Sequence, residues 1–157
     1  MTDRIRWGIL GNATIARKCV IGAIQKSRNG LVHALGTRSP ADAAEVAAEY
    51  GIGNVYDGYD AVLADPAVDA VYVPLPNHMH LPWTLKALSA GKHVLCEKPL
   101  ACNVGEARVM AARAKETGLL LMEGFMYRFQ PRPLRRQPVI ACREHGPNHC
   151  AIFEWPQ

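Results

Sequence analysis

Short apolar runs alternate with longer stretches whose apolar residues recur every three or four positions, from residue 5 to about residue 123. Ile5 to Leu10 reads as a strand ending at Gly11, and a helix is expected from about Ala13 to Lys26, with Ile15, Cys19 and Ala23 as its buried stripe. Leu31 to Gly36 is the second strand. Ser39-Pro40-Ala41-Asp42 then supplies an N-cap, a first-turn proline and an acidic first turn for a helix that stops at Gly51. A short strand near Val55, a small helix from Tyr59 to Leu63 and a break at Asp65-Pro66 follow. Ala70 to Val73 is the next strand, and the prolines of Pro74-Leu75-Pro76-Asn77 argue against both its continuation and an immediate helix. The next helix is placed at His80 to Ala90, a strand at His93 to Cys96, a helix opened by Asn103 and Glu106 as a capping box and closed near Gly118, and a last strand at Leu119 to Glu123. Such alternation predicts an α/β fold, a doubly wound parallel sheet.

From Gln130 the periodicity breaks down among recurring prolines, and only Cys150 to Trp155 still reads as a strand. The domain organisation expected is therefore 1–129 as one compact domain and 130–157 as an irregular tail. With 157 residues, 49% hydrophobic and 20% charged, the chain has enough material to bury a core without disulfides or metals. No apolar run is long enough to cross a bilayer and the start carries no signal-peptide pattern, so a cytoplasmic protein is expected. The net charge of +4 is mild and its basic residues are scattered, which argues against a nucleic-acid partner. Five cysteines without a C-x-x-C pair read as reduced thiols. Cys142, His145, His149 and Cys150 gather sulfur and imidazole near the end, but their spacing fits no common zinc motif, and no metal site is expected.

Candidate chemistry begins at the first strand end. Gly11-Asn12-Ala13-Thr14-Ile15-Ala16 is a relative of G-x-G-x-x-G/A, the Rossmann turn: Gly11 permits the bend, Ala13 is small enough for backbone to approach a pyrophosphate, and the helix N-terminus that follows receives it. At the end of the second strand, where NAD-binding versions place Asp or Glu for the ribose 2′-hydroxyl, the chain has Gly36-Thr37-Arg38-Ser39. Arg38 suits a 2′-phosphate, with Thr37 and Ser39 as further donors, which favours NADP over NAD. A solvated Arg38 and a helix-capping Ser39 are the plainer alternative.

The segment His93-Val94-Leu95-Cys96-Glu97-Lys98-Pro99 carries the other candidate. A lysine at the mouth of an apolar strand can polarise an oxygen and move a proton, provided a neighbour such as Glu97 holds its ammonium.

With the turn, the Pro-Leu-Pro-Asn segment and Glu-Lys-Pro in this order, residues 4–129 resemble the glucose-fructose oxidoreductase/inositol dehydrogenase/MocA family, and Leu121 to Phe129 resembles its branch of dihydrodiol dehydrogenases and NADP-dependent sugar dehydrogenases. The resemblance implies an N-terminal Rossmann domain that binds NAD(P) and a larger second α/β domain, most of which this sequence is expected to lack. It implies that Lys98 is the catalytic residue at the reacting oxygen, and that Glu97 positions Lys98 and the nicotinamide ribose, with Pro99 bending the chain, often through a cis bond. It further implies that Pro74, Leu75, Pro76 and Asn77 line the cofactor channel, that His80 lies on the nicotinamide side, and that Tyr127 and Arg128 face the substrate. The expected activity is hydride transfer between NADP and a sugar or related cyclic alcohol. The alternative is a catalytically inactive nucleotide-binding module, or a fragment that needs a partner subunit. An apolar seam around Phe125, Phe129 and Trp155 raises the expectation of a homo-oligomer.

Overall fold

The computed structural model describes residues 4–126. The chain divides into two units, Met1–Gly124 and Phe125–Gln157; Tyr127, Arg128, Phe129, Trp155 and the late Cys and His residues lie outside the described residues.

The first unit is built from β1 (Ile5–Leu10), α1 (Ile21–Lys26), β2 (Gly30–Thr37), α2 (Pro40–Tyr50), β3 (Asn54–Asp57), α3 (Asp60–Ala64), β4 (Ala70–Val73), α4 (Asn77–Ser89), β5 (His93–Cys96), α5 (Val104–Thr117) and β6 (Leu121–Glu123). Its six strands are all parallel in the order β3-β2-β1-β4-β5-β6. The order reverses between β1 and β4, and in open parallel sheets the crevice beyond the carboxyl ends of two such strands is where ligands sit.

Two cores cover the two faces. Ile21 and Ile24 of α1 and Ala43, Val46 and Ala47 of α2 pack on Ile9, Val32, Leu35 and Tyr72. On the other face Val62 and Leu63 of α3, Ala87 and Leu88 of α4, and Met110 and Ala114 of α5 pack on Leu10, Ala34, Val71, Val73 and Val94. This is the doubly wound arrangement that the alternating pattern predicts.

Three local expectations change. A π-helical turn over Ala16–Val20 precedes α1, with the Ile21 N–H donating to Ala16 O five residues back. That wider turn adds one residue to the helical phase, so Ala16, Ile21 and Ile24 are buried while Cys19 and Ala23 are exposed. The expected stripe of Ile15, Cys19 and Ala23 fails for that reason. Helix α4 begins at Asn77, directly after Pro76, because a proline just ahead of a helix forfeits no intrahelical hydrogen bond. Ser39 holds the N-cap position of α2, yet its side chain makes no cap hydrogen bond. At α5 the expected capping box is half formed: Asn103 Oδ1 accepts the Glu106 N–H at 3.0 Å, while Glu106 Oε2 accepts the Cys102 N–H at 3.0 Å, one residue before the N-cap.

Charged side chains hold the amino end of the sheet, away from the crevice. Asp69 accepts from Arg6 Nε at 3.0 Å, Arg6 Nη2 at 2.8 Å and the Arg6 N–H at 2.8 Å. Those hydrogen bonds, the side-chain ones foremost, hold the Asp69 carboxyl at about 2 against desolvation. Lys92 is buried, and its ammonium donates to Asp65 O at 2.8 Å and Val68 O at 2.7 Å, tying the exit of α3 to the entrance of β5.

Because the folded pKa of Asp69 is depressed, its contribution is fully present above the unfolded carboxylate range and is lost as pH falls through about 2. Urea unfolding of the wild type and Asp69→Asn is expected to show a stability gap at pH 7 that narrows below about pH 4; a gap independent of pH would contradict it. Gly36 is a second test. A Cβ there would lie 2.7 Å from Gly58 O and 2.7 Å from Val62 Cγ2, so Gly36→Ala is expected to cost about 1–3 kcal/mol in the same assay.

Candidate functional site

A cleft of about 400 Å³ opens at the carboxyl ends of β1, β2 and β4. Its floor is the turn after β1. Gly11 has φ +114°, a conformation that L side chains rarely adopt, and a Cβ there would lie 3.1 Å from Leu75 Cδ2. The Gly11 N–H donates to Gly36 O at 2.7 Å, which fixes the turn against the end of β2. Asn12 Nδ2 donates to Asp42 O at 3.0 Å, joining the turn to the first turn of α2, while Asn12 Oδ1 is enclosed without a partner. Ala13 completes the floor, and the Arg17 N–H donates to its carbonyl at 3.1 Å as the helix begins.

The end of β2 forms one wall. Thr37 is buried and its Oγ1 accepts the Ser39 N–H at 3.2 Å, whereas Arg38 and Ser39 are exposed. Pro74, Leu75 and Pro76 form the facing wall. Of the predicted cofactor residues, Thr14 and Ile15 begin the helix and Asn77 begins α4; none of the three lines the cleft. Three residues that sequence reasoning passed over do line it: Arg17, Asp42 and Tyr59. Tyr59 is held by an edge-on contact with Trp83, ring centroids 5.0 Å apart. Arg17 follows directly on the glycine-rich pattern, and its position there was the available signal.

The second cluster sits at the end of β5. The Glu97 N–H donates to Val73 O at 3.1 Å, extending the ladder one residue past the strand, and the Lys98–Pro99 peptide is cis. Lys98 is exposed. Its ammonium forms no ion pair among the described residues, and Glu97 turns elsewhere: Oε1 accepts from Tyr72 Oη at 2.6 Å and Oε2 from the Lys98 backbone N–H at 3.1 Å. The expected Glu97–Lys98 side-chain pair is thus replaced by a Glu97–Tyr72 pair, because the β4 phenol lies on the same sheet face as Glu97. Burial and the neighbouring Glu97 carboxylate push the Tyr72 phenol far above its ordinary value, so it remains a neutral donor. Burial also pushes the adjacent Cys96 thiol up to about 12, which makes it an inert core residue.

His80 corrects a further expectation. It is fully buried, with Nε2 2.7 Å from Leu75 O and Nδ1 2.9 Å from Pro99 O. Both ring nitrogens face backbone carbonyls, which leaves neither for a cofactor. The side chain instead links the cleft wall to the Glu97-Lys98-Pro99 turn. Among the described residues no cluster of His, Cys, Asp or Glu is arranged to hold a metal, and no helix is long and apolar enough to cross a membrane.

A sequence model described as an oxidoreductase family with an NAD-binding Rossmann fold matches residues 5–125. The chain belongs to this GFO/IDH/MocA family. Among its relatives, the D-xylose 1-dehydrogenase (NADP(+)) 2 of Haloferax volcanii is 44% identical over 135 residues, covering 86% of this chain and 41% of that protein. The trans-1,2-dihydrobenzene-1,2-diol dehydrogenase of Mus musculus is 36% identical over 129 residues, 81% of this chain and 38% of the relative. A solved 3-ketoreductase from Actinomadura kijaniata, in complex with NADP and TDP-benzene, superimposes with a TM-score of 0.83 at 39% identity, covering 88% of this chain and 42% of the other. The chain therefore spans about two fifths of the length of these GFO/IDH/MocA relatives.

The His80 bridge has a measurable weight. His80→Ala takes the N–H donor from one of the two facing carbonyls and opens a cavity, and is expected to lower stability by about 2–4 kcal/mol. Chemical denaturation checks this, and a loss within about 0.5 kcal/mol would show the bridge to be dispensable.

Proposed function

We propose that the chain is the NADP-binding part of an oxidoreductase acting on a sugar or related cyclic alcohol, with residues 1–129 as its dinucleotide-binding domain and the cytoplasm as its place of work. The observation that carries the reading is the cleft itself: a floor at Gly11 that a methyl group would crowd against Leu75, beside a β2 end that offers the exposed Arg38 with Thr37 and Ser39. The donor set fits a 2′-phosphorylated dinucleotide. Its pyrophosphate belongs at the helix start after Ala13, where the first N–H groups have no carbonyl to bond. The permanently charged Arg38 pairs with the 2′-phosphate. Asp42 lines the same cleft and favours NAD's hydroxyl over a phosphate, but it lies in the first turn of α2 and not at the strand end, where NAD-specific domains keep their carboxylate. The NADP named for the Haloferax and Actinomadura relatives supports the same choice.

Bound in this cleft, the dinucleotide supplies or accepts the hydride. The chain's own residues orient it and handle the proton. Pro74, Leu75 and Pro76 present an apolar wall with few groups for water. Lys98 Nζ, without a carboxylate partner among the described residues, gives a proton to the substrate oxygen in reduction and takes it back in oxidation. The second reading is a catalytically inactive nucleotide-binding module, or a fragment that needs a partner subunit.

Titration of intrinsic fluorescence separates these readings. NADPH is expected to quench it, and Arg38→Ala to weaken NADPH by about tenfold or more while NADH binds as before, since a charged hydrogen bond carries about 1.5–3 kcal/mol. Equal weakening of both cofactors would sink the 2′-phosphate assignment. Lys98→Met is expected to bind NADPH as the wild type does and to abolish aldose-dependent turnover; a wild type that binds and never turns over leaves the module.

A further inference from the structure

We infer that Asp42 sets the balance between the two nicotinamide dinucleotides: its carboxylate takes the adenosine ribose hydroxyls of NAD(H) and repels the 2′-phosphate that Arg38 attracts, so the cleft accepts both cofactors and its preference for NADP is held down. The inference rests on the dinucleotide reading above and adds a specificity-determining residue to it.

Asp42 lines the cleft together with Thr37, Arg38 and Ser39 at the end of β2, the part of a Rossmann cleft that receives the adenosine ribose. Backbone contacts fix its place. The Asp42 N–H donates to Ser39 O at 3.1 Å, and Asp42 O accepts from Asn12 Nδ2 at 3.0 Å, which ties the first turn of α2 to the phosphate turn. The next residue, Ala43, is fully buried against the sheet. The helix therefore cannot roll about its axis to carry the carboxylate out of the cleft.

No structural duty occupies that carboxylate. An acidic side chain at the third helical position commonly serves its helix by reaching back to the N-cap N–H. Here the Ser39 N–H already donates to Thr37 Oγ1 at 3.2 Å. Nor does Asp42 neutralise a cation: Arg17 and Arg38 line the same cleft, and among the described residues neither forms an ion pair with it. Asp42 and Arg38 are both exposed. The cleft thus holds a carboxylate and a guanidinium that are not spent on each other.

Their chemistries select opposite ligands. An ionised carboxylate only accepts hydrogen bonds, so two vicinal ribose hydroxyls suit it as donors, whereas a 2′-phosphate brings acceptors and negative charge. The guanidinium of Arg38 is always charged and only donates, in a fork that matches phosphate. One wall therefore carries a group for each dinucleotide, and Asp42 is the one that opposes NADP.

The test is calorimetric titration of the full chain with NADPH and with NADH. Asp42→Asn keeps the size and polarity of the side chain and removes its charge. It is expected to weaken NADH about fivefold, the difference between a charged and a neutral hydrogen bond, and to tighten NADPH about twofold to fivefold, the weight of one exposed charge pair. The two constants move in opposite directions. A carboxylate that serves only the α2 dipole changes neither. That result, any shift of both cofactors in one direction, a shift of one alone, or a wild type that binds NADPH and no NADH overturns the inference and leaves the dinucleotide reading standing. A wild-type chain that binds neither cofactor sinks that reading, and the role of Asp42 with it.

Discussion

One hydrogen bond, from the Gly11 N–H to Gly36 O at 2.7 Å, holds the ends of β1 and β2 together just where the backbone of the first strand turns away. Everything on the adenosine side of the cleft depends on that closure. It places Asn12 against α2, sets the helix start after Ala13 opposite the end of β2, and brings the φ of +114° at Gly11 into contact with Leu75. Gly36 tolerates no side chain on its other flank either, since Gly58 O and Val62 of α3 press on it. The cleft is in this sense a property of strand ends that approach too closely to carry side chains.

The lysine side of the site is assembled differently, by side chains that reach between loops. His80 spans from Leu75 O to Pro99 O, and Tyr72 spans from β4 to Glu97. Both are buried, both bond to groups that sit after the strands rather than in them, and together they fasten the walls of the cleft to the turn that carries Lys98. The exposed lysine is then the one charged member of that turn without a fixed partner among the described residues. An exposed ammonium on a backbone held by these bonds suits proton movement.

Much of this architecture was legible in the residues. Ala70–Val73 and His93–Cys96 are strands at the bounds that their apolar runs predict, because a proline or a charged residue ends each run abruptly. The glycine-rich turn and the capping box at Asn103 are local patterns whose physics does not need the rest of the fold. What escaped was what depends on contacts across the sheet. Tyr72 looked like one more apolar member of its strand, since nothing in Val71-Tyr72-Val73 says that a carboxylate will lie 25 positions later on the same face. His80 drew attention as an imidazole near the chemistry, but its burial between two carbonyls follows from α4 starting three residues earlier than the prolines suggested. Adjacency makes Glu97 and Lys98 look like partners, but the phenol of Tyr72 on the neighbouring strand takes the carboxylate.

The π-helical turn over Ala16–Val20 has a consequence for how this chain lines up with its kin. A helix that absorbs one extra residue in a single wide turn keeps both of its ends in place: the phosphate turn before it and Ile21 and Ile24 after it stay where the sheet needs them. A related chain shorter by one residue in this stretch can superimpose on both flanks without a shift anywhere else. A one-residue insertion or deletion between Lys18 and Ile21, past the cleft-lining Arg17, is thus expected to change the winding of this turn and leave the cleft as it is.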